Sequence, residues 1–158
     1  MEKLTWVLWR ERELLEVLLY RLDLEAMVMS TGRTRWLANA ANDVDAASAA
    51  LRDIEVVRAV AADEAAELAG LAPNSSLADL IDAAAEPWRS ILVEHRDNFL
   101  ALTDEIARVA QTNRALIVAG LRATQDTLLG IDQGAATYTA AGSVARGDAR
   151  SAVLDWSL

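Results

Sequence analysis

Residues 37–68 read LANAANDVDAASAALRDIEVVRAVAADEAAEL. Within them Leu37, Ala40, Val44, Ala47, Leu51, Ile54, Arg58, Ala61, Ala65 and Leu68 recur at steps of three and four without a slip. That spacing is one face of an α-helix laid along a neighbour. Many of these residues are Ala, so the neighbouring helix can approach closely. Asp43, Asp45, Asp53, Asp63, Glu64 and Glu67 fall on the outer, wet face. The stretch therefore decides the class: helix packed on helix. Thr34 is a suitable cap before it, and Gly70-Leu71-Ala72-Pro73-Asn74 stops it, because Pro cannot continue a helix.

The N-terminal side repeats the pattern. Leu4, Leu8, Leu15, Leu18, Leu22 and Met29 line a first helix, with Glu11 and Glu25 interrupting the seam. Val7, Leu14 and Leu19 widen it. Thr31-Gly32 ends it, since Gly is the usual residue past a helix C-terminus. On the C-terminal side, Ser76 and Asp79 form a capping-box-like start for a short helix over Leu77–Ala85. Pro87 then suits a first helical turn. A last long helix carries Trp88, Leu92, His95, Phe99, Leu102, Ile106, Val109, Asn113, Leu116, Gly120 and Ala123 on one seam. Its far end is richer in apolar residues: Leu116, Ile117, Leu121, Leu128, Leu129 and Ile131.

These pieces predict an all-α fold. It is an elongated antiparallel helical bundle or coiled coil of about three long helices plus one short helix. The bundle domain spans 1–133, and a flexible C-terminal tail spans 134–158. The tail ends on the apolar stretch Ala152-Val153-Leu154-Asp155-Trp156-Ser157-Leu158. That stretch is read equally as a docking segment or as one that packs back on the bundle.

Composition narrows the function. The chain has 158 residues, 53% hydrophobic, with 24 acids against 15 bases and a net charge of −9. Residues 43–86 alone carry ten acids and two bases. This balance argues against nucleic acid or an anionic membrane as the main partner. No cysteine is present, so disulfides and thiolate metal sites are excluded. The N-terminal apolar run is too short for a signal peptide, and no uncharged apolar stretch approaches a membrane span. The expected setting is the cytoplasm.

Reactive groups do not converge. The one histidine, His95, lies on a seam and reads as a core or boundary residue rather than a ligand. No Glu-x-x-His pair and no phosphate-cradling Gly-rich loop exists. The acidic residues read as a solvated face. No cofactor, metal or catalytic residue is expected. Three polar residues, Glu25, Arg58 and Asn113, interrupt apolar seams, where such residues fix register and partner choice. A Glu25–Arg58 pair across two helices would satisfy both charges; the equal alternative is that both side chains snorkel to the edge of the seam. Trp6, Trp9, Trp36 and Trp88 stand near helix starts and are expected to close off the core, the alternative being a binding surface.

At this point the residues resemble the FlgN-type flagellar export chaperones. The first helix carries Glu13-Leu14-Leu15, Leu18-Leu19, Leu22 and Leu24-Glu25-Ala26. After the Gly-containing break comes Leu51-Arg52-Asp53-Ile54-Glu55-Val56-Val57-Arg58. The last helix has Thr112-Asn113-Arg114-Ala115-Leu116-Ile117, similar to the family's Asn followed by an apolar pair. Tyr138-Thr139-Ala140-Ala141-Gly142 resembles its Tyr-x-x-x-Gly element. The chain departs from the family in having no Lys beyond Lys3, where a Lys is common in the second helix.

The resemblance implies a cytoplasmic type III export chaperone. It would bind the terminal helical regions of hook-associated proteins, keep them unassembled and bring them to the export gate. Leu116, Ile117, Leu121, Leu128, Leu129 and Ile131 are the expected client surface, and Tyr138 and Gly142 the expected gate-docking element. A weak homodimer is compatible with this reading. The rival readings are a self-associating coiled-coil scaffold or adaptor built on the second-helix heptad, and a bundle enzyme using clustered carboxylates.

Overall fold

In the computed structural model, which describes residues 1–135, each expected helix is present between the punctuation marks that the sequence supplies. Helix α1 spans Glu2–Ser30, α2 Leu37–Leu68, α3 Leu77–Ala83 and α4 Trp88–Ala135. A single 3-10 turn, Thr34–Trp36, leads into α2. The tail expected over 134–158, with Tyr138, Gly142 and the apolar end, falls almost wholly outside the described residues.

Helices α1 and α2 end in the same way. Gly32 and Gly70 each adopt a positive φ, +66° and +72°. At the first, the amides of Gly32 and Arg33 donate to the carbonyls of Met29 and Val28. At the second, those of Gly70 and Leu71 donate to Glu67 and Ala66. Both are Schellman closures, which satisfy carbonyls that a helix end leaves open. The start of α3 is the expected capping box. Asp79 N donates to Ser76 Oγ at 3.1 Å, and Ser76 N donates to Asp79 Oδ2 at 2.9 Å. The Ser76 hydroxyl, donating to Asp79 Oδ2 at 2.7 Å, and then the Ser76 amide hold the Asp79 carboxyl below its usual pKa. The C-terminus of α3 is closed by Arg89, whose guanidinium donates to the carbonyls of Ile81, Asp82 and Ala84. A cation there also complements the helix dipole.

The described chain divides into two units, Met1–Leu116 and a second beginning at Ile117. In the first unit, α1 and α2 run antiparallel. Three cross-helix ion pairs mark the register: Lys3–Glu64 at 2.6 Å, Glu11–Arg58 at 2.9 Å and Arg21–Asp43 at 3.0 Å. Helix α4 runs parallel to α1, since Trp9 meets His95 and Glu25 meets Asn113. Consecutive long helices are therefore antiparallel. The core gathers where the start of α1, the end of α2, α3 and the start of α4 converge. It consists of Leu4, Val7, Leu8, Ala61, Ala65, Ala66, Leu80, Ile81, Ala84 and Leu92.

The expected seams are largely the buried ones. Leu4, Leu8, Glu11, Leu22 and Glu25 of α1 are buried, as are Ala47, Leu51, Ala61 and Ala65 of α2. Much of the α2 heptad thus packs within the chain. Leu68 departs from the seam at 84% exposure, and Ala66 is buried in its stead. On α4 the seam holds through Leu116, whereas Gly120 and Ala123 are exposed. Trp88 packs on the core. Trp6 and Trp36 do not close it and are exposed, whereas Trp9, though half-exposed, covers the buried His95 of α4.

Candidate binding surface

The three polar seam residues are all engaged, but not as expected. Asn113 is buried and donates twice through Nδ2, to Glu25 Oε2 at 2.8 Å and to the Leu22 carbonyl at 2.9 Å. Glu25 is therefore paired with Asn113, not with Arg58. The tight turn at residues 31–36 sets the α1–α2 register and brings Glu25 level with the first turns of α2, far from Arg58. Arg58 instead meets Glu11. Burial pushes the Glu11 carboxyl above its usual pKa, and the Arg58 guanidinium pulls against that shift. These pairs sit at two levels of the first unit and lock the rotation and register of its helices.

His95 is buried beneath Trp9, edge to face at 5.3 Å between ring centroids, with Phe99 on its other side. Arg12 stacks over the outer face of Trp9 at 5.2 Å. Burial lowers the His95 pKa. Glu94 opposes that shift and Arg12 adds to it. A neutral imidazole enclosed by aromatic rings is a packing element. Among the described residues, no group of three or more His, Asp or Glu side chains converges as metal ligands.

The remaining feature is apolar surface. Leu116 closes the first unit and is half-buried. In the second unit, Ile117, Leu121, Leu128 and Ile131 follow one another at steps of four, seven and three, which places them on one helical face. Their exposures are 44%, 60%, 62% and 63%. Leu129 lies beside this face and is likewise exposed, as is Val118, which sequence reasoning missed. Charge is sparse over 116–131, with only Arg122 and Asp126. The Thr124 and Thr127 hydroxyls donate to the carbonyls of Gly120 and Ala123 four residues back. Their hydrogen-bonding demand is met within the helix.

Full burial of one Leu or Ile side chain gains about 1.5–3 kcal/mol. A row of them left in water is a standing driving force for association with another apolar face. An amphipathic helix fits such a row through its own anchors at helical spacing. The six residues named from the sequence as a client surface thus comprise one half-buried residue and five exposed ones, all on α4. Among known proteins, the family model described as FlgN protein matches the chain over residues 1–146. No curated protein and no solved structure matches it.

Proposed function

The chain belongs to the FlgN family, a family of flagellar export chaperones, and from that premise we propose that it holds hook-associated proteins in the cytoplasm before their secretion. It binds their C-terminal helical regions, keeps them unassembled and delivers them to the export gate. The client lies along Leu116, Ile117, Leu121, Leu128, Leu129 and Ile131. Tyr138 and Gly142 make the contact with the gate.

The observation that carries this reading is the exposed apolar row on α4. A client segment that later packs inside a filament junction must hide an apolar stripe until then, and a helical row of Leu and Ile offers that cover. Delivery also requires release. Binding is therefore micromolar to nanomolar, on the order of −8 to −12 kcal/mol, and needs no cofactor.

Co-expression with the two hook-associated proteins of the same genome, followed by affinity capture of this chain, tests the proposal. Retention of at least one of them is expected. Loss of both under conditions where the chain is folded contradicts it.

A further inference from the structure

Helix α2 carries a second row on its outer face. Asp53, Val56, Val60, Asp63 and Glu67 alternate steps of three and four, on the side away from Leu51, Ala61 and Ala65. Val56 and Val60 are 67% and 52% exposed, and Val57 and Leu68 stand exposed beside them. Elsewhere the exposed apolar positions of α2 are alanines: Ala38, Ala46, Ala49 and Ala59. Ala is the better helix former, and a β-branched residue loses χ1 freedom in a helix. Val56, Val57 and Val60 in water therefore gain nothing for the helix itself. Near the end of the row the surface becomes concave. The Asn74 amide donates to Asp63 Oδ1 at 2.7 Å and pins the following turn beside the helix. A groove of about 510 Å³ results, lined by Val60, Asp63, Glu64, Glu67, Leu71 and Pro73.

We infer that this face docks a basic amphipathic helix of another protein. The occupant presents two apolar side chains, three or four residues apart, to Val56 and Val60, with a Lys or Arg one turn beyond each. The argument is one of charge. Asp53 stands at one end of the valine pair, and Asp63 and Glu67 at the other. Among the described residues, Asp53 and Glu67 take part in no ion pair. The two bases within residues 43–86 are Arg52 and Arg58; neither lies in the row, and Arg58 is held by Glu11.

Other occupants fit less well. A second copy centred on the valines sets Asp53 against its own equivalent when parallel and against Asp63 when antiparallel, and both contacts repel. Nucleic acid and anionic lipid are repelled likewise. A neutral apolar helix would cover carboxylates without giving them partners. A basic helix supplies apolar cover and opposite charge together. From Asp53 to Glu67 the row is about 21 Å long. Such a face is well under the ~800 Å² per partner of a stable complex, so binding is weak and sensitive to salt. No residue of the α4 row is involved.

The probe is a synthetic helical peptide of roughly 20 residues, with Leu at the two anchor positions and Arg flanking them. Its control carries Glu in place of each Arg. Titration of the full chain at low salt should give a dissociation constant of about 10–100 μM for the basic peptide and at least about tenfold weaker binding of the acidic one. Asp53→Lys with Glu67→Lys should weaken the basic peptide about tenfold and strengthen the acidic one. Val56→Ala with Val60→Ala should weaken the basic peptide by a similar factor while helicity and melting temperature hold or rise, because Ala favours the helix. That variant separates docking from the general attraction of a basic peptide to an acidic chain. Leu121→Ala with Leu128→Ala, on α4, should leave this binding unchanged.

Equal binding of the two peptides overturns the inference. So does a basic peptide indifferent to Val56→Ala with Val60→Ala, and so does one whose binding is lost with the α4 variant instead. A dimer in sedimentation that the two valine substitutions dissolve would assign the face to a second copy and overturn it too.

Discussion

Asn113 shows how much one side chain specifies. Its amide donates to the buried Glu25 carboxylate and, as a second donor, to the helical carbonyl of Leu22. A hydrogen bond to a charged group contributes about 1.5–3 kcal/mol, and removing one partner leaves the other with its full desolvation cost. Asn113→Leu alone should therefore lower stability by roughly 2–4 kcal/mol. Glu25→Leu together with Asn113→Leu removes both members and should cost much less than the sum of the single changes. Urea titrations of the three variants give the coupling. Additive losses would mean that the pair is not an energetic unit. The sequence revealed that Glu25, Arg58 and Asn113 sit at seam positions. It did not reveal their partners, because pairing depends on the level each residue reaches along its neighbour. The short turn after α1 held that information: it rules out Glu25 with Arg58.

At the scale of elements, boundaries were the most legible part. Thr31-Gly32, Gly70 and the Ser76/Asp79 pair each mark a helix end through a local chemistry that needs no tertiary context. Gly70→Ala tests this directly. The added Cβ meets nothing within 4 Å, so any cost comes from forcing an L residue into a positive φ. That cost is about 1–2 kcal/mol, seen as a lower urea midpoint with unchanged slope. An unchanged midpoint would show that the closure of α2 does not depend on glycine. Heptad spacing was equally readable for the inward faces of α1 and α2. It was less readable on outward faces, where the same aromatic residues fit core closure or exposure equally well. Trp6 and Trp36 were assigned to the wrong side for that reason. The Arg89 clamp on α3 left no trace in the pattern, because it depends on the fold of the 84–88 connection.

For the whole molecule, the apolar surplus of α4 and the acidic excess of α2 occupy different places. Asp45, Asp53 and Glu67 of α2 are exposed, while Asp43 and Glu64 bridge to Arg21 and Lys3 of α1. The second unit carries Leu and Ile in water with little charge beside them. The sequence marked those residues because their density exceeds what a seam needs; which chain covers them is a matter of binding. The most direct measurement is a calorimetric titration of the full-length chain with a hook-associated protein, set beside Leu121→Glu with Leu128→Glu. Both positions are exposed, so the variant should keep its helicity and melting. The account predicts micromolar or tighter binding by the natural chain and a loss of at least about tenfold in the variant. Equal affinity of the two, with both folded, would contradict it.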